Sequence, residues 1–330
     1  MVDFLFKRYD GERLTIYLLA NQGVIVKFQI PSKRTGYYPE VISLLNNMEC
    51  PNAGHSELGL NHPADVFYFS FLEVIDSAKS LLERLSSDAL KRKENHAYTP
   101  DNLEDYRVDI FNLIFFSANF IEACQSILKS VLHKDERFTK ASREFKDLTS
   151  SYRAHVSKII NEIKHKHRRV RPFSSSWDAN LVIGYYIEGV LPEGTLGADP
   201  LIHDYFHGMK TGFSLNRNIP YHLINTYFVS SALSSVLVKY SRLDSSECNN
   251  FSSDEVKKCF DMLSDLPMLF FPDEIEMKVP SIKRNKVDGF SLELPSGRKI
   301  ENRKPHNMNI SLSQRIGLQA RAFSPPYFRG

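Results

Sequence analysis

Seven cations, three histidines and a single acid share the stretch from Arg153 to Arg171, which reads RAHVSKIINEIKHKHRRVR. The cations are Arg153, Lys158, Lys164, Lys166, Arg168, Arg169 and Arg171; the acid is Glu162, and His155, His165 and His167 lie between them. An imidazole titrates near neutrality, so it can take a proton from a hydroxyl or give one to a leaving oxygen. Cations beside it would hold negative charge on a phosphate. The whole chain carries only +3 at pH 7, so a surface for an anion must come from such clustering. RNA, or another polyanion, is the partner this chemistry points to.

These groups need a frame. Phe138, Ala141, Phe145, Leu148, Tyr152, Val156, Ile159 and Ile163 recur at three- and four-residue spacing. That spacing predicts one helix over about 136–167 with a single core-facing stripe. At about 100° per residue, Asn161, His165 and Arg168 fall opposite the stripe, with Lys158 and Lys164 beside them. Asn161 and His165 are one turn apart and can address one object. Pro172 and the serines after it are expected to stop the helix.

Two further helices should pack against this one. Phe67, Phe71, Val74, Ile75, Ala78, Leu81, Leu82 and Leu85 give an apolar face from Ala64 on, and the charged run from Ser86 to Tyr98 breaks it. Thr99-Pro100-Asp101 carries helix-start chemistry. The helix that follows, about 101–132, is apolar nearly all round and so must be surrounded, with Glu122 at the bundle edge. Helical pattern returns from about Ile219 to Tyr240 and from Ser253 to Leu263, the last capped by Ser252 or Ser253.

The rest of the chain reads as β or turn. Residues 1–63 form a β-rich N-terminal segment, and a small β insertion at about 173–215 interrupts the helical region 64–266. Residues 267–330 are a basic, turn-rich C-terminal extension with one hairpin, Phe290–Leu294 onto Lys299-Ile300. Its last thirty residues should lie as an extended arm on the body or on a partner.

Asn161-Glu162-Ile163-Lys164-His165 resembles the signature of the HEPN superfamily, helical domains many of which cut or bind RNA. The family motif is an arginine, often followed by asparagine, with a histidine five positions after the arginine. His165 corresponds to the histidine and Asn161 to the asparagine, while Ile160 stands where the arginine would be. The resemblance implies a HEPN-like helical bundle over about 64–265, in a chain that is mainly α. It further implies metal-independent RNA cleavage in a bacterial toxin or defence system. His165 would move the proton, Asn161 position the substrate, and Lys164 with Arg168 meet the phosphate. Lys158, Lys166, His167, Arg168, Arg169 and Arg171 would bind the nucleic acid. Family members commonly pair their motifs across a dimer, which implies a homodimer here. The competing class is a non-catalytic protein whose basic helical face grips nucleic acid or an acidic partner, and Ile160 supports it.

Other chemistries find little support. Cys50, Cys124, Cys248 and Cys259 form no C-x-x-C pair, so neither a zinc knuckle nor a disulfide framework is expected. His203 and His207 would share a metal only on a helix, and no further ligand stands near; no metal and no cofactor is expected. The glycines from Gly189 to Gly197 lack the order and the lysine of a phosphate loop. Trp177, Tyr185, Tyr186 and Tyr205 could stack on bases, but packing suits them better. The start of the chain lacks a signal-peptide pattern and no run is long enough to span a bilayer, which predicts a cytoplasmic protein without membrane contact.

Overall fold

A computed structural model describes residues 3–10, 13–19, 25–28, 31–48, 54–177, 180–241, 253–275, 277, 281–287, 289–293, 308–312, 318–319 and 321–328. The architecture is mainly α. Strands β1 (Asp3–Asp10), β2 (Arg13–Leu19) and β3 (Ile25–Phe28) form an antiparallel sheet in the order β1-β2-β3. Short helices α1 (Val41–Asn46) and α2 (Gly54–Glu57) lead into the bundle: α3 (Pro63–Glu94), α4 (Glu104–Val131) and α5 (Phe138–Lys166). Then come β4 (Val170–Trp177), β5 (Asn180–Val190), β6 (Leu196–Ala198), β7 (Tyr205–Phe206), β8 (Met209–Lys210) and β9 (Phe213–Ser214). Helices α6 (Leu215–Ser241) and α7 (Asp254–Ser264) follow. The last strands are β10 (Ser281–Asn285), β11 (Gly289–Glu293), β12 (Asn309–Leu312) and β13 (Phe323–Ser324).

Local chemistry sets the helix ends. Pro63 opens α3 at its first turn, where His62 Nδ1 accepts the Ala64 N–H at 3.2 Å. The charged run after Ser86 does not end this helix, which continues to Glu94. Asp88 and Arg92 turn inward there. Asp88 accepts the hydroxyls of Tyr98 (2.8 Å) and Tyr106 (2.7 Å), and Arg92 donates to the Tyr98 carbonyl at 2.9 Å. Helix α4 begins at Glu104, three residues past Asp101, because the Asn102 side chain accepts the Glu104 N–H. Ser253 caps α7 by accepting the Val256 N–H.

Helix α4 is the middle rod, packed by α3, α5, α6 and β4. Phe67, Phe71, Phe120 and Tyr227 interlock at its contact with α3 and α6. Each is fully buried and contributes on the order of 2–3 kcal/mol by burial. Glu122 is exposed, at the bundle edge.

The strands between α5 and α6 make more than a small insertion. β4 and β5 sit inside a six-stranded sheet, ordered β12-β4-β5-β6-β13 with β9 also on β5. Its outer strands come from the C-terminal segment: β12 pairs antiparallel with β4, and β13 parallel with β6. Residues 309–312 and 323–324 are thus woven into the body and do not lie as a loose arm. Gly289–Glu293 is a strand paired upstream with Ser281–Asn285; the expected hairpin onto Lys299-Ile300 lies outside the described residues.

Candidate functional site

The two ends of α5 offer two different surroundings. Its core stripe is buried as the spacing predicts, with Phe138 and Ile163 half-buried at the edges. Asn161, Lys164, His165, Lys166 and His167 are exposed. The helix ends at Lys166, well before Pro172. His167 takes a left-handed conformation (φ 54°, ψ 31°), its N–H returns to the Glu162 carbonyl in a six-to-one closure, and the Arg168 N–H reaches the same carbonyl at 3.3 Å. Arg168 and Arg169 therefore lie on a link and Arg171 on β4, so Arg168 does not share a helical face with His165. Pro172 sits inside β4, opposite Tyr185.

A cavity of about 390 Å³ opens where this link meets α4. Arg107, Arg168, Arg169 and Arg171 line it together with Glu104, Phe111, Ile163 and Val170. His165, Asn161 and Lys164 do not. The four guanidiniums are not equally available. Arg107 is held by Glu104 at 3.0 Å, and Arg171 by Glu188 at 2.6 Å in a buried pair. Arg168 Nε stands 3.5 Å from Asp199 and 3.9 Å from Glu162 and makes no hydrogen bond. Arg169 is exposed and forms no ion pair with a described residue. Glu162, the lone acid of the stretch, is itself buried and holds Lys166 at 2.8 Å. Lys164 lies over the Phe115 ring, 5.2 Å from its centre, and Lys158 is exposed.

The third histidine, His155, faces the other way. It lies in the seam between α5 and α6 among Phe213, Tyr221 and His222, with ring centres 5.9, 5.3 and 6.4 Å away. Its Nε2 has no partner among the described residues. His222 is fully buried, with Nδ1 2.8 Å from the Tyr152 hydroxyl and Nε2 unpartnered. His203 accepts the Ile187 N–H on Nε2 at 2.9 Å, so Nδ1 carries the proton and finds no acceptor. The His203–His207 spacing is not helical, and His207 is exposed. Nearby, Tyr185 donates to Asn218 at 2.9 Å, and Arg217 reaches buried Glu274 at 3.2 Å. Glu274 also accepts the N–H groups of Ser214 and Phe271, both at 3.1 Å.

Burial sets the protonation of this seam. It pushes His155 down to about 4, helped by the charges of Arg217 and Lys158, and it pushes His203 and His222 down to about 3. All three are neutral at pH 7. An imidazole held so low is a feeble base, so this network in its closed form is poorly matched to proton transfer at neutral pH.

Arg217-Asn218-Ile219-Pro220-Tyr221-His222 has an arginine, an asparagine directly after it, and a histidine five positions on. The order and spacing match those sought around His165, with an arginine where the earlier stretch has Ile160. The apolar spacing places the start of this helix at about Ile219, whereas α6 starts at Leu215 and includes Arg217 and Asn218. Of the aromatics near the basic stretch, Trp177, Tyr185 and Tyr186 are buried, while Tyr205 is exposed beneath the Lys210 ammonium. No group of three or more potential metal ligands occurs among the described residues. Comparison of the chain with protein-family models, with curated proteins and with solved structures finds no match in any of the three.

Proposed function

We propose that this is an RNA-directed protein of HEPN-like type that binds the phosphate backbone at the arginine-lined cleft beside the C-terminal end of α5. The observation that carries the reading is the convergence of Arg107, Arg168, Arg169 and Arg171 on one cavity, with Arg168 and Arg169 only loosely held. Exposed Lys158, Lys164 and Lys166 extend the positive surface along the helix. Binding of this kind releases counterions and weakens steeply with salt.

A second reading, metal-independent RNA cleavage, is favoured by the complete Arg217-Asn218-x-x-x-His222 pattern and by the unpartnered ring nitrogens around it. It requires the α5–α6 seam to open, since His222 is sealed in the closed form.

Purified protein with mixed RNA in EDTA separates the two. Binding that falls with salt, is lost in an Arg168→Gln/Arg169→Gln variant and is accompanied by no cleavage supports the first. Each cation removed should lower the salt slope by about 1. Cleavage abolished by Arg217→Gln or His222→Ala, and kept by His165→Ala, supports the second. The homodimer that the resemblance implies is checked by light scattering on the same sample.

A further inference from the structure

The cleft has an aromatic wall. Arg107, Phe111 and Phe115 follow one another at four-residue steps on α4, so they share one stripe of that helix, and all three are partly buried, the two rings against the edge of the core. Phe111 lines the cavity. Its ring is stacked on that of Phe115, with centres 5.8 Å apart and planes 17° from parallel. Lys164 covers Phe115 from α5. The inward side of α4 is already filled by Ile110, Leu113, Ile114 and Phe120, all buried. Phe111 therefore adds part of its ring to the cleft wall, backed by Phe115 and directly beside Arg168, whose acids stand 3.5 and 3.9 Å off, and Arg169, which forms no ion pair with a described residue.

We propose that the cleft takes single-stranded RNA, seating one phosphate between Arg168 and Arg169 and stacking the adjoining unpaired base on Phe111. The proposal rests on the binding reading above and narrows its substrate. The phosphate goes to Arg168 and Arg169 because Glu104 and Glu188 hold the other two guanidiniums. A volume of about 390 Å³ lies at the small end of ligand pockets, enough for one nucleotide and too small for a duplex. Phenylalanine has no hydrogen-bonding group, so the ring offers only a face, and every base has a face to match it. In a duplex those faces are taken up by neighbouring bases, so double-stranded RNA would meet the arginines alone. An acidic peptide would likewise use the cations and leave the ring idle.

The experiment is fluorescence anisotropy with three probes: a labelled unpaired RNA 12-mer, the same strand annealed to its complement, and heparin as a base-free polyanionic competitor. The single strand should bind most tightly. Phe111→Leu should weaken it roughly tenfold. The same change should leave duplex and heparin binding, and the salt slope, as they were. Phe111→Tyr should restore the preference. A single strand bound no better than the duplex, or a Phe111→Leu variant with unchanged preference, overturns the stacking proposal. Arg168→Gln/Arg169→Gln binding all three probes at full strength would instead remove the binding reading beneath it. A readout on the wild-type protein guards against a variant that fails to fold. RNA carrying 2-aminopurine should lose fluorescence as its base stacks, and saturation with no change in emission also overturns the proposal.

Discussion

His155 and His165 sit on one helix, ten positions and about 15 Å apart along its axis, yet they live in different solvents. His165 stands in water among cations and lines no described cavity. His155 is pressed among aromatic rings in the α5–α6 seam, where burial drives its pKa to about 4. Identity of residue and of helix says little about chemistry; what packs around the ring decides. The charge at the water-facing end is available because it is poorly held, whereas the seam is closed by packing, keeps three ring nitrogens without a partner among the described residues, and is nearly free of titration at pH 7.

The comparison can be broken most forcefully with acid. His155, His203 and His222 all have folded-state pKa values depressed far below the ordinary 6.5. The unfolded chain takes up three protons below that value which the folded protein refuses until about pH 4. Stability from the seam is therefore complete above about pH 6.5 and lost as pH falls. The loss is roughly 4 kcal/mol per pH unit while all three differ. Denaturant titrations at pH 7, 6 and 5 should show the midpoint collapsing, and a chain whose stability is flat over that range would end the argument for a neutral buried cluster. Next in size is Glu274→Ala. It leaves Arg217 and two backbone N–H groups without their acceptor and should destabilise by roughly 3 kcal/mol; a melting curve checks it. At the other end, His167→Gly relieves a left-handed non-glycine cap. It should stabilise by about 1 kcal/mol in the same assay. Smallest is His165→Ala, expected to change stability by less than about 0.5 kcal/mol. It should also weaken RNA binding far less than loss of Arg169. A large effect at His165 would restore the exposed helix face as the working surface.

The sequence made α5 legible because eight apolar residues repeat on one side of it, and the basic opposite side followed by geometry. Its end did not follow. A histidine in the left-handed region leaves no composition signal, whereas Pro172 looked like a stop and is in fact a strand residue. The continuation of α3 was hidden for a different reason: Asp88 and Arg92 read as solvent-facing charges, and their burial is made tolerable by the hydroxyls of Tyr98 and Tyr106 on Asp88 and by the Tyr98 carbonyl on Arg92, all beyond the end of the helix. The arginine cleft was half visible. Arg168, Arg169 and Arg171 stood out as a run, but Arg107 and Phe111 belong to another helix, and no local pattern joins them. Arg217 to His222 was the opposite case. The motif was local and complete, and a helix boundary drawn four residues late concealed it.

The order in which the six-stranded sheet acquires its members has a consequence for synthesis. Its two rims, at β12 and β13, are the last strands to leave the ribosome, and Tyr327 then locks against Asp273 with a 2.6 Å hydrogen bond. Until residues 309–312 have emerged β4 presents an unpaired rim, and until residues 323–324 follow so does β6, each open to any passing strand. A nascent chain halted before Asn309 would carry the cationic cleft already assembled from α4, α5 and the start of β4, on a body still liable to stick to its neighbours.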